Sequence, residues 1–176
     1  MKIARIGPDG AYATRPLGPP DLPRVQGLFD RCRDYFVIAT GAPAAADEAA
    51  RAFVAGPPAK SVDDKRVVGV FGRNEELVGV LDALTNWPRD GVWMMGMLLI
   101  DPAHRRSGLG KAVHLAYEDW ARSCRATELQ TAVVSHHEAG IAFLKALGYG
   151  GLSTLDDYHA GAQRAQVLFF SKKTTE

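Results

Sequence analysis

Two arginines and two glycines between an apolar run and a helical pattern form the stretch of this chain best suited to binding an anion. The stretch covers residues 100–111, in which Arg105 and Arg106 offer guanidinium groups that bind phosphate oxygens through paired hydrogen bonds. Gly108 and Gly110 suit a tight turn and allow a ligand to approach the backbone closely. Unpaired N–H groups and the helix dipole at the start of the following helix also favour an anion. The spacing therefore predicts a site for a phosphorylated ligand.

The spacing of the glycines separates three kinds of phosphate-binding loop. The P-loop pattern requires a glycine five residues before Gly110 and a Ser or Thr after Lys111, and the chain has neither. The dinucleotide-binding fingerprint requires a third glycine, which residues 107–113 do not supply. The pattern that fits is Arg-x-x-Gly-x-Gly over residues 105–110, directly after an apolar run. This loop resembles the signature loop of the GCN5-related N-acetyltransferase (GNAT) family, which binds the diphosphate of acetyl coenzyme A.

Length and composition are those of a single globular domain. The chain has 176 residues, 47% hydrophobic and 23% charged, enough to bury a full core. Its formal net charge of +1 disfavours nucleic-acid binding, which needs a clustered excess of Lys and Arg. The longest apolar run, residues 92–100, is too short to cross a membrane, and the first seven residues lack a secretory signal. We therefore expect a cytoplasmic protein with neither nucleic-acid nor membrane partners.

The two cysteines carry little functional signal. Cys32 and Cys124 lack the spacing of metal ligands, so they are expected to be single buried thiols. No metal site is expected.

Helical and strand patterns predict an α/β domain with a mixed, mostly antiparallel sheet of about seven strands and about four helices. The predicted helices are residues 21–35, 44–55, 108–125 and 138–147. The predicted strands are residues 11–17, 66–72, 76–85, 92–100, 128–134, 150–155 and 163–171. These elements form a domain over residues 11–176, preceded by a tail or edge strand at residues 1–10. The order is that of a GNAT-like fold, and the resemblance covers nearly the whole chain.

A glycine interrupts the most apolar of these strands. Residues 92–100 are apolar at consecutive positions, which indicates a central strand buried on both faces. Gly96 within it indicates either a bulge or a small residue beside a large neighbour. In the GNAT family a bulge here separates two neighbouring strands. The resemblance therefore implies a cleft between strands 92–100 and 128–134 that would hold the thioester.

The resemblance also implies acetyl coenzyme A as co-substrate and names the residues that would bind it. The backbone of residues 98–100 would contact the pantetheine arm, and an N–H near Leu98 would stabilise the oxyanion. The loop would surround the diphosphate. Coenzyme contacts are thus expected from Leu98, Leu99, Ile100, Arg105, Arg106, Ser107, Gly108, Leu109, Gly110, Lys111 and His137.

The chain departs from the family pattern at the catalytic positions. The last helix of the family usually begins with an asparagine and carries a tyrosine as general acid, where this chain has His137 and Leu144. A glutamate on the central strand often serves as base, and residues 94–97 include no carboxylate. The alternatives are His136 and His137, which titrate near neutrality, and Asp82 on the neighbouring strand. We take His137 and Asp82 as the candidate catalytic residues.

The sequence defines the acceptor site less well. Asp34 and Tyr35, at the end of the first predicted helix, lie where the family usually places its acceptor wall, and Trp87 is a third candidate. All three also suit ordinary packing, and Asp82 suits a solvated face of its strand as well as the cleft. A small-molecule or peptide amine is expected as the acceptor. Since family members are often dimers, the resemblance also allows a homodimer.

The function implied by these features is acetyl-CoA-dependent N-acetyl transfer, in which a primary amine attacks the thioester directly. Two alternatives stay open. A non-catalytic acyl-CoA-binding module of the same fold would keep the loop without an acid or base. A phosphate-binding domain unrelated to coenzyme A would keep the loop alone.

Overall fold

The computed structural model describes residues 4–7, 10–57, 60–160 and 163–174 and has the predicted α/β architecture. The strands are β1 (Ala4–Ile6), β2 (Tyr12–Pro16), β3 (Lys65–Phe71), β4 (Leu77–Leu84), β5 (Val92–Ile100), β6 (Glu128–Val134), β7 (Gly150–Ala160) and β8 (Gln163–Lys173). The α-helices are α1 (Leu22–Arg31), α2 (Arg33–Thr40), α3 (Glu48–Val54), α4 (Leu109–Ser123) and α5 (Glu138–Ala146). None of the helices in the described part of the chain is long and apolar enough to cross a membrane.

One mixed sheet contains all eight strands in the order β1-β2-β3-β4-β5-β6-β8-β7. β5 and β6 pair in parallel, and the other neighbouring strands pair antiparallel, as predicted for a mostly antiparallel sheet. The eighth strand is β1, formed by residues 4–6 of the predicted tail or edge strand. Residues 1–3 and 8–9 of that predicted segment lie outside the described residues.

The segment predicted as one helix ending near Tyr35 is two helices. α1 and α2 meet at Cys32, and α2 continues to Thr40, so the predicted end was wrong. The break arises because Cys32 leaves the helical conformation (φ −92°, ψ 34°) while its thiol donates to the carbonyl of Ile100 at 3.6 Å. Gly41, with a φ of 82°, ends the second helix in the left-handed conformation that glycine adopts most readily.

The other predicted elements are confirmed, with changes at their ends. β5 and β6 have the predicted bounds. Helix α3 is shorter than predicted because it begins at Glu48 instead of near Ala44. The last two strands are longer than predicted because they pair to the end of their hairpin. Cys32 is buried as expected, but Cys124 is exposed, which corrects the prediction for that thiol.

Two hydrophobic clusters cover the two faces of the sheet. Helices α1, α2 and α3 pack Leu28 and Phe36 against one face, where they meet Val80 of β4. Helices α4 and α5 pack on the other face, where Val113 meets Leu129 of β6. Burying a side chain of this size stabilises the fold by about 1.5–3 kcal/mol. The central strands are therefore held from both sides, as their apolar sequences predict.

A polar network is buried within the second cluster. The Nε2 atom of His114 on α4 lies 2.9 Å from the hydroxyl oxygen of Tyr149, and Lys172 donates to Glu118 at 2.7 Å. Burial, with a smaller contribution from the charge of Lys172, lowers the pKa of His114 to about 4. The carboxylate of Glu118 acts in the opposite direction. The imidazole is therefore neutral in the folded protein at neutral pH.

This neutral histidine should make the free energy of unfolding fall as the pH is lowered. Unfolded His114 takes up a proton below about pH 6.5, whereas the folded protein resists protonation until about pH 4. Between these values the unfolded state binds more protons, so stability falls with decreasing pH. His114 should contribute about 2–3 kcal/mol of lost stability between pH 7 and pH 4.5.

Urea denaturation of the wild type and of His114→Phe at both pH values measures this contribution. The variant is expected to be less stable at pH 7 but to lose about 2–3 kcal/mol less between the two pH values. The same loss in both proteins would contradict the assignment.

Candidate functional site

The parallel strands β5 and β6 pair only over their first halves. Their Cα partners run from Val92 with Glu128 to Met95 with Thr131. On the other edge of β5, Ala83 pairs with Met95 and Asp82 with Met97, so Gly96 is the extra residue of a bulge. Of the two interpretations of Gly96 that the sequence left open, the bulge is therefore present. A neighbour also needs the space, because a Cβ on Gly96 would lie 2.3 Å from Oδ1 of Asp82.

The separation of the two strands opens a cleft made of two joined cavities. The inner cavity, about 480 Å³, lies between the second halves of β5 and β6. The loop cavity, about 450 Å³, continues from it to the loop before α4. Five residues line both cavities: Tyr35, Leu98, His137, Gly140 and Phe143. Each volume is within the range of about 300–1,000 Å³ typical of small-molecule sites.

The loop cavity ends at the predicted anion-binding turn. Gly108 begins α4 with a φ of 82°, and a Cβ there would meet nothing within 4 Å, so this side of the turn is open. Its carbonyl accepts the N–H of Ala112 at 3.0 Å. The N–H groups of residues 109–111 precede that first helical hydrogen bond and are unused by the helix. Together with the helix dipole they suit a bound phosphate.

Most of the residues predicted to bind the coenzyme line this cavity, and two do not. The lining includes Leu98, Leu99, Ile100, Arg105, Arg106, Gly108, Gly110, Lys111 and His137. Ser107 instead donates its hydroxyl to the carbonyl of His104 at 2.7 Å, and Leu109 is buried in the core. These two side chains therefore shape the turn and do not line the cavity.

Arg105 is held by protein groups on two sides. Its Nε donates to the carbonyl of Ile100 at 2.8 Å, and its guanidinium pairs with Asp34 on α2, with Nη2 3.1 Å from Oδ1. This pairing raises the pKa of Arg105 and lowers the pKa of Asp34. Arg106 and Lys111 are exposed and form no ion pair with another described residue. Arg105 thus fixes the loop to β5 and α2, while its neighbours supply positive charge to the cavity.

Asp101 holds the same loop from the core side and was missed in the sequence. Its Oδ1 accepts the N–H of Ala103 at 3.0 Å, and its Oδ2 pairs with Nε of Arg31 at 2.5 Å. Burial acts to raise the pKa of Asp101, but the pairing with Arg31 prevails and lowers it. The only sequence signal for this role is an Asp-Pro pair directly after an apolar strand.

Tyr35 and His137 lie where the two cavities meet. Their rings pack edge to face with centroids 6.2 Å apart. Gly140 makes room for the imidazole, since a Cβ at this position would lie 2.8 Å from Nδ1 of His137. Burial lowers the pKa of His137, and nearby His136 and Arg105 act in the same direction. Burial also raises the pKa of Tyr35 to about 12. Both side chains are therefore uncharged at neutral pH.

Asp82 lies behind the bulge and lines neither cavity. Its side chain is 14% exposed and lies 3.4 Å from the ammonium group of Lys65. Burial raises the pKa of Asp82, while Lys65 and the N–H of Gly96 act to lower it. The carboxylate therefore lies between Lys65 and the bulge at Gly96.

Two further predicted positions lie in different surroundings. Trp87 is in the turn between β4 and β5 and lines neither cavity. Its backbone N–H donates to the carbonyl of Val92 at 2.8 Å. Leu144, at the family's tyrosine position, is buried in the wall of the inner cavity. The outer part of that wall comes from residues that sequence reasoning did not single out: Ala39, Thr40, Leu155, Tyr158, Val167 and Phe169.

Comparison with solved structures shows that other proteins have the same fold. The chain is similar to the ribosomal-protein-S18-alanine N-acetyltransferase from Escherichia coli, with 16% identity, a TM-score of 0.71, and coverage of 94% of this chain and 95% of that chain. It is similar to an acetyltransferase from Thermus thermophilus, with 22% identity, a TM-score of 0.71, and coverage of 93% and 97%. It is also similar to a GCN5-related N-acetyltransferase from Kribbella flavida, with 20% identity, a TM-score of 0.68, and coverage of 93% and 98%.

The family assignment comes from the sequence itself. No curated protein sequence matches the chain closely enough to count as a relative. The model of the acetyltransferase (GNAT) family, however, matches residues 30–149, which include the turn before α4, both separating strands and helix α5. Because this match covers more than half of the chain, and the solved structures have the same fold, the chain belongs to the GNAT family of acetyltransferases.

Proposed function

We propose that the protein transfers the acetyl group of acetyl coenzyme A to the nitrogen of an amine, by direct attack within a ternary complex. The observation that carries the proposal is the continuous cleft from the anion-binding turn to the bulge at Gly96. Acetyl coenzyme A supplies an activated thioester when bound. Its diphosphate fits the N–H groups of residues 109–111 and the exposed Arg106 and Lys111. Its long arm fits the edge of β5 that pairing with β6 leaves free.

The bulge positions the groups that act on the thioester carbonyl. Beyond Met95 the backbone of β5 has no pairing partner in β6, so an N–H near Leu98 is available to the cleft. An N–H donor fixed in a strand stabilises developing negative charge on oxygen without first reorganising. The carboxylate of Asp82 lies against Gly96, where a Cβ would be 2.3 Å from its Oδ1, so the bulge requires glycine at this position.

His137 is the group proposed to take the proton from the amine. It lines both cavities and is neutral at neutral pH because burial lowers its pKa. Asp82 is the second candidate, at a position behind the bulge. A separate general acid is not essential, since a thiol with a pKa of about 8.5 leaves tolerably as thiolate near neutral pH.

A non-catalytic acyl-CoA-binding module is the second candidate function. The observation that favours it is Leu144, a buried apolar side chain where the family usually has its acid. Acceptor-dependent release of free thiol from acetyl coenzyme A separates the two functions, because only an enzyme releases it.

Binding of acetyl coenzyme A should depend on Gly108. At about 100 times its dissociation constant the ligand adds about 2.7 kcal/mol, which should raise the unfolding midpoint of a chain of this size by about 5–11 °C. In Gly108→Glu the added carboxylate repels the diphosphate, and this shift should disappear. Thermal unfolding with and without the ligand measures it.

Gly148→Glu is the matched control for this variant. Gly148 also has a positive φ, of 88°, but it follows α5 and lines neither cavity. The same substitution there introduces similar backbone strain and the same charge, so its ligand-induced shift should remain. A lost shift in both variants, or a retained shift in both, would contradict the placement of the coenzyme.

Proton acceptance by His137 should appear in the pH profile of turnover. The base must be unprotonated, so kcat should fall as the pH drops through the lowered pKa of His137. His137→Gln should lower kcat by about 10²–10⁴-fold and remove this acidic limb. The measurement is the rate of thiol release with saturating acetyl coenzyme A and an amine found active in a screen.

Asp82→Asn tests the alternative base in the same assay. This variant should keep the acidic limb, because the imidazole is unchanged. If the limb is absent from Asp82→Asn and present in His137→Gln, the base is Asp82, whose pKa is raised by burial.

A further inference from the structure

We infer that the acceptor is a weakly basic amine carried on an apolar ring, of which aniline is the simplest example. This inference rests on the proposed acetyl transfer and specifies the chemical class of its second substrate. It comes from the inner cavity, the part of the cleft that lies beyond the bulge and away from the anion-binding turn.

The inner cavity has no charged side chain in its wall among the described residues. Five of its residues have polar side chains, namely Tyr35, Thr40, Thr131, His137 and Tyr158. Two of these are already engaged, since Thr40 donates to the carbonyl of Phe36 at 2.8 Å and Thr131 to that of Met95 at 2.9 Å. The remaining wall is aliphatic, aromatic or thioether. An ammonium group would therefore be bound without a compensating charge, at a large cost in desolvation.

Among the described residues, Asp34 is the one carboxylate that lines either cavity, and Asp82 lies next to the bulge; both are engaged with cations. Asp34 pairs with Arg105 at the loop cavity. Asp82 lies 3.4 Å from the ammonium group of Lys65, which is itself largely buried and also donates to the carbonyl of Ala55. Taking Asp82 as the counter-ion of a substrate would leave the largely buried Lys65 without its partner, which is unfavourable. Asp34 is about half exposed, lies outside the wall of the inner cavity and is held there by the guanidinium group of Arg105. Neither of these two carboxylates is therefore a free counter-ion for a polyamine or another protonated amine.

The composition of the wall also favours a ring. Met94, Met95 and Met97 of β5 line the inner cavity together with Phe169 and Tyr158 of the last hairpin. Thioether sulfur makes favourable contacts with aromatic rings, and methionine adapts to their shape. Aromatic pairs add further attraction beyond the area they bury. A flat apolar ring is therefore the ligand group that fits this wall best.

A weakly basic amine also fits the proton transfers that the cleft can perform. Such an amine is already unprotonated at neutral pH, so its lone pair can attack without a base to deprotonate it first. The N–C bond forms, the C–S bond breaks, and its electron pair leaves on sulfur as thiolate. The nitrogen proton passes to His137, which is neutral and therefore able to accept it. These reaction steps therefore need no carboxylate on β5.

Aniline and cyclohexylamine form a matched pair of probes, since both carry one amine on a six-membered ring and only cyclohexylamine is protonated at pH 7. Measured by thiol release at pH 7, the kcat/KM for aniline should be at least about tenfold higher than the values for cyclohexylamine and putrescine. Between pH 7 and pH 9 the value for cyclohexylamine should rise about tenfold per pH unit with its free-base fraction. The value for aniline should stay level. Each CH₂ added opposite the amine, as in 4-ethylaniline, should raise kcat/KM about fourfold.

Leu155 supplies a test of where the ring lies. Its side chain lines the inner cavity but is 46% exposed, so Leu155→Asp leaves the core intact. This variant should lower the kcat/KM for aniline at least about tenfold. The ratio of the kcat/KM for putrescine to that for aniline should rise. The neighbouring Thr154 is exposed and lines neither cavity, so Thr154→Asp should leave both values unchanged. An equal effect of the two variants, or none from Leu155→Asp, would overturn the assignment of the inner cavity.

The outcomes also distinguish this inference from the proposed function. Faster turnover of putrescine or cyclohexylamine at pH 7 would overturn the inference and leave acetyl transfer standing. Thiol release with another amine of the screen but not with aniline would also overturn the inference alone. Stabilisation by acetyl coenzyme A without thiol release from any amine of the screen would overturn the transferase function, and the inference with it.

Discussion

The site depends on two parallel strands that pair over four residue pairs and then separate. Backbone groups inside a protein need hydrogen-bond partners, so a break in a central ladder is unfavourable unless other groups satisfy them. The hydroxyl of Thr131 binds the carbonyl of Met95 at the start of the break, and Arg105 binds the carbonyl of Ile100 at its end. The carboxylate of Asp82 lies against the bulge residue Gly96. The backbone between these points is left for a ligand, which is why the cleft lies there.

The helices on one face make this opening stable. The break at Cys32 turns α2 relative to α1, and the same thiol binds the end of β5. Burial raises the pKa of Cys32 to about 11, so it stays a neutral donor in this position. Arg31 before the break and Asp34 after it bind Asp101 and Arg105 of the turn. The helix break, the strand end and the anion-binding turn are therefore one connected unit.

Local sequence patterns predict one part of this unit and fail for the other. The turn before α4 and the bounds of β5 and β6 could be predicted because glycine spacing and continuous apolar runs have local causes. The break at Cys32 could not, since a cysteine at helical spacing favours a continuous helix and the contact that interrupts it is with Ile100. The outer wall of the cleft could not be predicted from the sequence either. Leu155 and Tyr158 are about half exposed and resemble ordinary surface residues until the hairpin places them beside α2.

The departures from the family pattern are connected by their position. Leu144 replaces the usual acid and Met94–Met97 the usual base, and the structure places both sets in the wall of the same cavity. A carboxylate in such a wall would need a buried cation or would become neutral, as the raised pKa of Asp82 illustrates even beside Lys65. A cleft that binds a charged amine benefits from that carboxylate, whereas a cleft that binds a neutral one does not. The absence of the family's usual tyrosine and glutamate and the uncharged wall of the inner cavity thus fit the proposed neutral acceptor together, while the anion-binding turn at the other end of the cleft carries Arg105, Arg106 and Lys111.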